Sequence, residues 1–216
     1  MINLAREMGK TTEELERIVG EAKKKLFLER ERRVKPFRDE KVLTSWNGLM
    51  IGAFVDGYNV TRNERYLAAA QKGADFLWTR LYQERRLLRT FKEGVAKLNG
   101  YLDDYTFTVD ALLDLYEATS DATHLDRARG LTTRLIDQFW DDAQGGFFFT
   151  SKDHEPLIAR SKSSADQSIP SGNAVAAQSL LRLFYLTGEA SYFDKAEKTL
   201  QFFSEAMEEN VFATGN

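Results

Sequence analysis

The sequence predicts an all-α protein, a partial α/α toroid of repeated helical hairpins with short β-hairpins on one rim. Three observations lead to this fold class. Apolar residues recur at spacings of three and four along most of the chain. A unit of two helices joined by a short polar turn occurs three times. The 216 residues include only three prolines, and each lies in a segment without helical periodicity.

A leading helix is predicted over about residues 11–33. Thr11 or Thr12 can cap its start. One face carries an apolar stripe, made of Leu15, Ile18, Val19, Ala22 and Leu26. The opposite face carries charges of both signs from Lys23 to Arg33, which is typical of a solvated helix surface rather than a nucleic-acid-binding patch.

Three helical repeats follow within one predicted domain over residues 1–216. Their approximate bounds are 43–98, 103–160 and 171–208. In each repeat an apolar helix ends at a threonine, namely Thr61, Thr119 or Thr187. Because one helical pair cannot bury its apolar surface alone, we expect the pairs to stack side by side. A closed toroid of six pairs needs twelve helices, so three pairs and a leading helix form part of one.

The connections after the first two pairs predict β-hairpins. Their strands are expected at Arg86–Phe91, Val95–Leu98, Gly145–Thr150 and Leu157–Arg160. A Gly-containing turn separates the first two strands, and a polar turn through Pro156 separates the other two.

Composition excludes several classes of function. The balance of 30 basic and 33 acidic residues gives no reason to expect a nucleic-acid partner. The absence of cysteine excludes disulfides and cysteine-ligated metal, and no motif predicts a metal or another cofactor. The first ten residues do not form a signal peptide, and no run of about 18 apolar residues predicts a membrane segment. We therefore expect a cytoplasmic protein.

The functional site is predicted at the rim where the first helix of each pair begins. Helix N-termini direct unpaired N–H groups outward, and several beside one cavity favour an anionic or hydroxyl-rich ligand. The candidate catalytic residues are Asp103 and Asp104. The candidate substrate-binding residues are Trp46, Asn47, Tyr105, Arg160, Lys162, Ser171 and Asn173.

Most candidates also have a structural interpretation. Asp103 and Asp104 could be the general acid and base for a glycosidic bond. Adjacent residues at a helix start more often serve as an N-cap and a dipole-compensating charge. Trp46 could stack on a sugar ring or pack in the core. Ser171 and Asn173 could be ordinary helix-start residues. Arg160 and Lys162 could be solvated charges of a loop.

The segment Lys41–Met50, KVLTSWNGLM, resembles a motif of the thioredoxin-domain-containing proteins of the spermatogenesis-associated type. Leu102–Tyr105, Gly145–Phe148 and Pro170–Ala174 continue the resemblance in the same order, and it covers about residues 5–203. Members carry a thioredoxin-like domain followed by a toroid similar to six-hairpin glycosidases and N-acylglucosamine 2-epimerases. The resemblance implies that this chain is the later part of such a toroid.

Two functions compete. One is a carbohydrate-active or carbohydrate-binding domain, glycosidase-like or epimerase-like and incomplete in this chain, which binds a sugar or another hydroxyl-rich small molecule. The alternative is a non-catalytic helical scaffold or protein-interaction domain. Sugar epimerases of this architecture use histidine pairs, and His124 and His154 form no such pair in the predicted layout. Open flanks on the first and last hairpins predict a homodimer or association with a missing toroid half.

Overall fold

The computed structural model describes residues 2–155 and 158–214, which divide into two compact units on either side of the Glu40–Lys41 bond. The first unit contains α1 (Ile2–Glu7) and α2 (Thr12–Glu31). Thr11 and Glu14 form a capping box at the start of α2, because each side chain accepts a 3.1 Å hydrogen bond from the other's backbone N–H. The predicted leading helix is therefore present, and the short α1 precedes it.

The second unit contains the three predicted helical pairs. Their helices are α3 (Thr44–Thr61), α4 (Glu64–Phe76), α5 (Leu102–Thr119), α6 (Ala122–Phe139), α7 (Gly172–Thr187) and α8 (Ala190–Glu209). Helix α5 packs against both α3 and α7, whereas α4, α6 and α8 each pack on the helix that precedes them. This arrangement, an inner layer of α3, α5 and α7 with an outer layer behind it, is part of an α/α toroid.

The repeated threonines form the same local structure at each helix end. The hydroxyl groups of Thr61, Thr119 and Thr187 each donate to the carbonyl group four residues earlier, at 2.6–2.7 Å. Each hydroxyl oxygen also accepts a hydrogen bond from the backbone N–H two residues later. Between them lies a left-handed residue, with φ of 56°, 58° or 73° at Arg62, Ser120 and Gly188. The repeat is therefore a structural repeat of the helix–turn–helix unit.

The first predicted β-hairpin is present and gains two short strands. The strands are β1 (Val42–Leu43), β2 (Tyr82–Gln83), β3 (Arg86–Lys92) and β4 (Val95–Asn99). Strand β3 pairs antiparallel with β1, β2 and β4. Because β1 runs directly into α3, this sheet fixes where the first inner helix begins.

The second predicted hairpin differs from the expectation. Gly145–Thr150 is irregular in the structure apart from a single bridge between Trp140 and Phe147. Pro156 and Leu157 lie outside the described residues. The reason for the difference is that the main chain of Phe147 bonds to the side chain of Asn173, at 2.7 Å and 3.0 Å, instead of to a partner strand.

The core lies between the inner and outer helices. Its largest fully buried side chains include Phe107, Phe139, Phe147, Leu113, Leu131 and Leu180. No helix within the described residues is long and apolar enough to cross a membrane.

Candidate functional site

Asp104 joins the starts of α3 and α5. Its side chain is fully buried, and Oδ1 accepts a 2.9 Å hydrogen bond from the backbone N–H of Ser45. Its Oδ2 accepts hydrogen bonds from the backbone N–H of Tyr101 at 2.8 Å and from Arg89 Nη1 at 3.3 Å. Burial raises the pKa of Asp104, and the Tyr101, Arg89 and Ser45 donors oppose that rise. Both carboxylate oxygens are therefore occupied by protein donors.

Asp103 lies in a different environment from its neighbour. It lines a cavity of about 320 Å³, and no donor within the described residues hydrogen-bonds to its carboxylate. Burial and the adjacent Asp104 raise the pKa of Asp103 to about 6, while Arg89 acts to lower it. A carboxyl group with such a pKa can hold and release a proton near neutral pH.

Gly172, the first residue of α7, makes room for the Asp103 carboxylate. A Cβ atom at Gly172 would lie 2.4 Å from Asp103 Oδ1 and 3.0 Å from Leu102 Cγ. Any larger residue would therefore displace the carboxylate from its present position. This close approach also brings the start of α7 beside the start of α5.

The cavity walls come from the start of α5, the start of α7 and the loop between α6 and α7. The lining residues are Leu102, Asp103, Phe149, Ser163, Ala165, Gln167, Ser168, Ile169, Pro170, Ser171, Gly172 and Asn173. The volume is at the small end of the range of about 300–1,000 Å³ that is usual for small-molecule sites. Of the predicted site residues, the structure brings Asp103, Ser171 and Asn173 together here.

Asn173 and Ser171 are bonded to the loop that forms one wall. The buried Asn173 amide bonds to both main-chain groups of Phe147 and donates to Ser163 O at 3.0 Å. The Ser171 hydroxyl donates to the same carbonyl oxygen at 3.0 Å, and the Ser171 N–H donates to Asp166 at 2.8 Å. Both residues therefore shape the cavity by holding Ser163 in place.

Arg160 and Lys162 fasten the beginning of the same loop. Arg160 donates to the carbonyl groups of Thr150 and Gln138, and its guanidinium group lies over the Phe148 ring. Lys162 is almost buried and donates to Asp141 at 2.7 Å. Neither residue lines the cavity.

The remaining candidates lie outside the cavity lining. Trp46 is 62% exposed, and the Asn47 amide donates to the backbone carbonyl of Leu43 at 2.8 Å. Tyr105 is 4% exposed, and its hydroxyl oxygen accepts a hydrogen bond from Leu87 N at 3.1 Å. Asn47 and Tyr105 thus join the helix starts to β1 and β3.

Nine lining residues were absent from the predicted set, among them Phe149 and Gly172. Phe149 ends a run of three phenylalanines, and strand alternation would group it with the buried Phe147, so the run gave no signal that this ring lines the cavity. Gly172 stands between the predicted residues Ser171 and Asn173, where a glycine can allow close packing, but only the packing of α7 on α5 brings it to Asp103.

An ion cluster of largely buried side chains joins α5 and α7 farther from the rim. Arg182 bonds to Asp110 at 2.6 Å, Asp114 at 2.8 Å and Glu117 at 2.9 Å. Burial and the neighbouring Asp110 raise the pKa of Asp114 to about 6, against the effect of Arg182. Within the part of the chain that the structure describes, no three His, Asp or Glu side chains converge as metal ligands do.

The family model of glycosyl hydrolase family 76 matches residues 23–212. The chain belongs to glycosyl hydrolase family 76. The predicted resemblance to spermatogenesis-associated proteins is confirmed as well. The chain is 36% identical to human spermatogenesis-associated protein 20 over 214 residues, which is 94% of this chain and 27% of that protein. It therefore spans about a quarter of the length of that relative.

Solved structures show the same fold at low identity. The family 76 α-mannanase of Bacteroides thetaiotaomicron has a TM-score of 0.63 and 19% identity, covering 79% of this chain and 47% of that one. The cellobiose 2-epimerase of Bacillus thermoamylovorans has a TM-score of 0.62 and 13% identity, covering 78% and 46%. An inactive α-1,6-mannanase of Salegentibacter, with two consecutive aspartates replaced and α-1,6-mannotetraose bound, has a TM-score of 0.60 and 18% identity, covering 75% and 47%. The toroid thus resembles both glycosidases and epimerases.

Proposed function

We propose that the cavity beside Asp103 binds a sugar unit of a glycan and that Asp103 is the proton-transferring carboxyl group for glycosidic-bond hydrolysis. The observation that carries this proposal is the environment of the Asp103 carboxyl group. This group faces a cavity at the rim of a family 76 fold, and no donor of the described chain is bonded to it. A glycosidase-like site therefore accounts for the position better than a scaffold does.

The chemistry expected of Asp103 is that of a general acid. As the glycosidic C–O bond breaks, the Asp103 proton passes to the leaving oxygen, and water adds to the anomeric carbon and restores the proton. A pKa of about 6 keeps part of the group protonated close to neutral pH. The raised value follows from burial and from the Asp104 carboxylate, so Asp104 supports the acid electrostatically.

Hydrolysis also needs a second carboxylate, as nucleophile or as base for water. In the inactive variant of the α-1,6-mannanase, two consecutive aspartates are replaced. This supports the Asp103–Asp104 pair as the site. The other consecutive pair, Asp141–Asp142, is a weaker candidate because neither residue lines the cavity and Asp141 is bonded to Lys162. Since both Asp104 oxygens accept protein hydrogen bonds, we assign Asp104 a positioning role. Asp103 is the one carboxyl group among the described residues that line the cavity, so the second carboxylate lies outside this lining.

Calorimetric titration with α-1,6-mannotetraose and with cellobiose tests the proposal. We expect the parent chain to bind the mannan fragment with an affinity that changes with pH near the pKa of Asp103, and Asp103→Asn to bind it with an affinity that does not, because an α-1,6-mannanase with its aspartate pair replaced still binds the saccharide. Asp142→Asn is the matched control, since Asp142 is exposed and does not line the cavity. A parent chain that binds neither saccharide at millimolar concentration contradicts the proposal.

A further inference from the structure

Phe149 has an unusual position among the three consecutive phenylalanines. Phe147 is fully buried, and Phe148 is half-buried beneath the Arg160 guanidinium group. Phe149 is 36% exposed, and it lines the same cavity as Asp103. The chain thus places a large aromatic side chain at the wall of the candidate site.

The Phe149 ring is held in a defined orientation. Its backbone N–H donates to Ser161 O at 2.8 Å, and its carbonyl oxygen accepts from Leu102 N at 2.9 Å. The ring stacks on Tyr101, with 4.9 Å between centroids and 13° between planes. Tyr101 is itself held by the Arg89 guanidinium group, 4.6 Å from its ring centroid. Little side-chain freedom remains to be lost when a ligand contacts the ring.

The remaining lining indicates the charge of the ligand. The described residues around the cavity include no lysine or arginine that could receive a carboxylate or phosphate group. Asp103 repels anions when it is ionised, and the hydroxyl and amide groups of Ser163, Gln167 and Ser168 suit hydroxyl groups. A pyranose has the matching chemistry, because C–H groups form one face and hydroxyl groups surround its edge.

We infer that Phe149, braced by Tyr101, is the platform on which the apolar face of a neutral pyranose stacks in the Asp103 cavity. The inference rests on the proposed function, and it assigns a binding residue to the cavity. The uncharged sugar lies between the aromatic ring and the carboxyl group, with its hydroxyl groups directed to the polar loop. Stacking excludes water from one side of the sugar and thereby orients its glycosidic oxygen.

Binding of α-1,6-mannotetraose, followed by proton NMR, tests the inference. We expect Phe149→Ala and Phe149→Leu to weaken binding about tenfold, because each removes the aromatic face. Phe149→Tyr retains the face and keeps the affinity within about threefold of the parent. In the parent, sugar protons above the ring shift upfield, and the shift is absent in Phe149→Leu. Phe193→Ala is the matched control, since Phe193 is 40% exposed on α8 and does not line the cavity.

The possible results separate this inference from the proposed function. A Phe149→Leu variant that is folded by circular dichroism and binds as the parent does overturns the platform while the Asp103 site stands. Tighter binding of a glucuronate-containing disaccharide than of the neutral saccharide overturns the assignment of a neutral ligand. A parent chain that binds no saccharide overturns the proposed function and this inference together.

Discussion

The Asp104 carboxylate of α5 accepts a 2.9 Å hydrogen bond from the backbone N–H of Ser45 in α3, across 59 positions of sequence. The same carboxylate is bonded to Tyr101 N and to Arg89 of β3. One buried side chain therefore connects two inner helices and the sheet. This connection holds the backbone next to Asp103, so Asp104 and Asp103 have separate tasks although they are consecutive.

We expect Asp104→Ala to lower the free energy of unfolding by about 3 kcal/mol, because it removes a buried charge partner and leaves two backbone N–H groups without an acceptor. Urea denaturation measures the change. Asp121→Ala is the control, since Asp121 caps α6 at an exposed position, and its loss is expected to be smaller. Equal losses in the two variants would show that the interhelical bonds add nothing to capping.

The stability of the chain should depend on the ionisation of Asp103. Its pKa is about 6 in the folded state against 3.8 ordinarily, so between these values the folded state binds more protons and stability falls as pH rises. Asp103→Asn removes the free-energy cost of ionising this partly buried carboxyl group. We expect it to stabilise the protein at pH 7 by about 1 kcal/mol, allowing for solvent screening, and to have less effect at pH 4. Denaturation at both pH values measures this, and an equal effect at both would falsify the pKa assignment.

Gly172→Ala should disturb the site through a steric effect. The added methyl group would lie 2.4 Å from Asp103 Oδ1, so the carboxylate or α7 must move, at a cost of about 1–3 kcal/mol. We also expect saccharide binding to weaken. Gly130→Ala is the matched control, because it lies in α6 with open space around it and should stabilise the helix by up to about 1 kcal/mol. Thermal unfolding and calorimetry distinguish the variants, and an unchanged Gly172→Ala protein would contradict the close approach.

Adding a Cβ atom in the turn after α7 and removing one in the turn after α5 should change the free energy of unfolding in opposite directions. Gly188 and Ser120 occupy equivalent left-handed positions, with φ of 73° and 58°. Gly188→Ala is expected to lower the free energy of unfolding by about 1 kcal/mol, because it places a Cβ in that region. Ser120→Gly should raise it, by about 0.5 kcal/mol. Urea denaturation checks both signs, and a stabilising Gly188→Ala would be inconsistent with the shared turn geometry.

The face of α7 and α8 predicts association with a second copy of the chain. It contains a cavity of about 570 Å³, lined largely by apolar side chains that include Leu181, Leu200, Phe203 and Met207. A face of this kind is rarely left uncovered. We expect sedimentation at micromolar concentration to give a mass above the single-chain 24.7 kDa, and Leu200→Asp to reduce it. Val95→Asp on β4 is the control at an exposed position. A single-chain mass for the parent would contradict the expectation.

Local signals in the sequence were sufficient to predict the helical pairs, the leading helix, the first β-hairpin and the rim on which the candidate site lies. Helical periodicity locates α3 to α8, and the threonines at the helix ends bond within their own turns. Contacts between residues close in sequence form with little influence from the rest of the chain. The amino-acid pattern alone is therefore enough to predict them.

Packing between remote segments established which aspartate borders the cavity and what surrounds it. Consecutive helical residues point about 100° apart, so the two carboxylates face different surroundings, but the donors that hold Asp104 come from Ser45 and Arg89 in remote segments. The same reason explains why the second predicted hairpin is absent. The side chain of Asn173 in α7 forms hydrogen bonds with the main chain of Phe147. Long-range contacts thus assigned Asp103 to the cavity and most of the other predicted polar residues to its support.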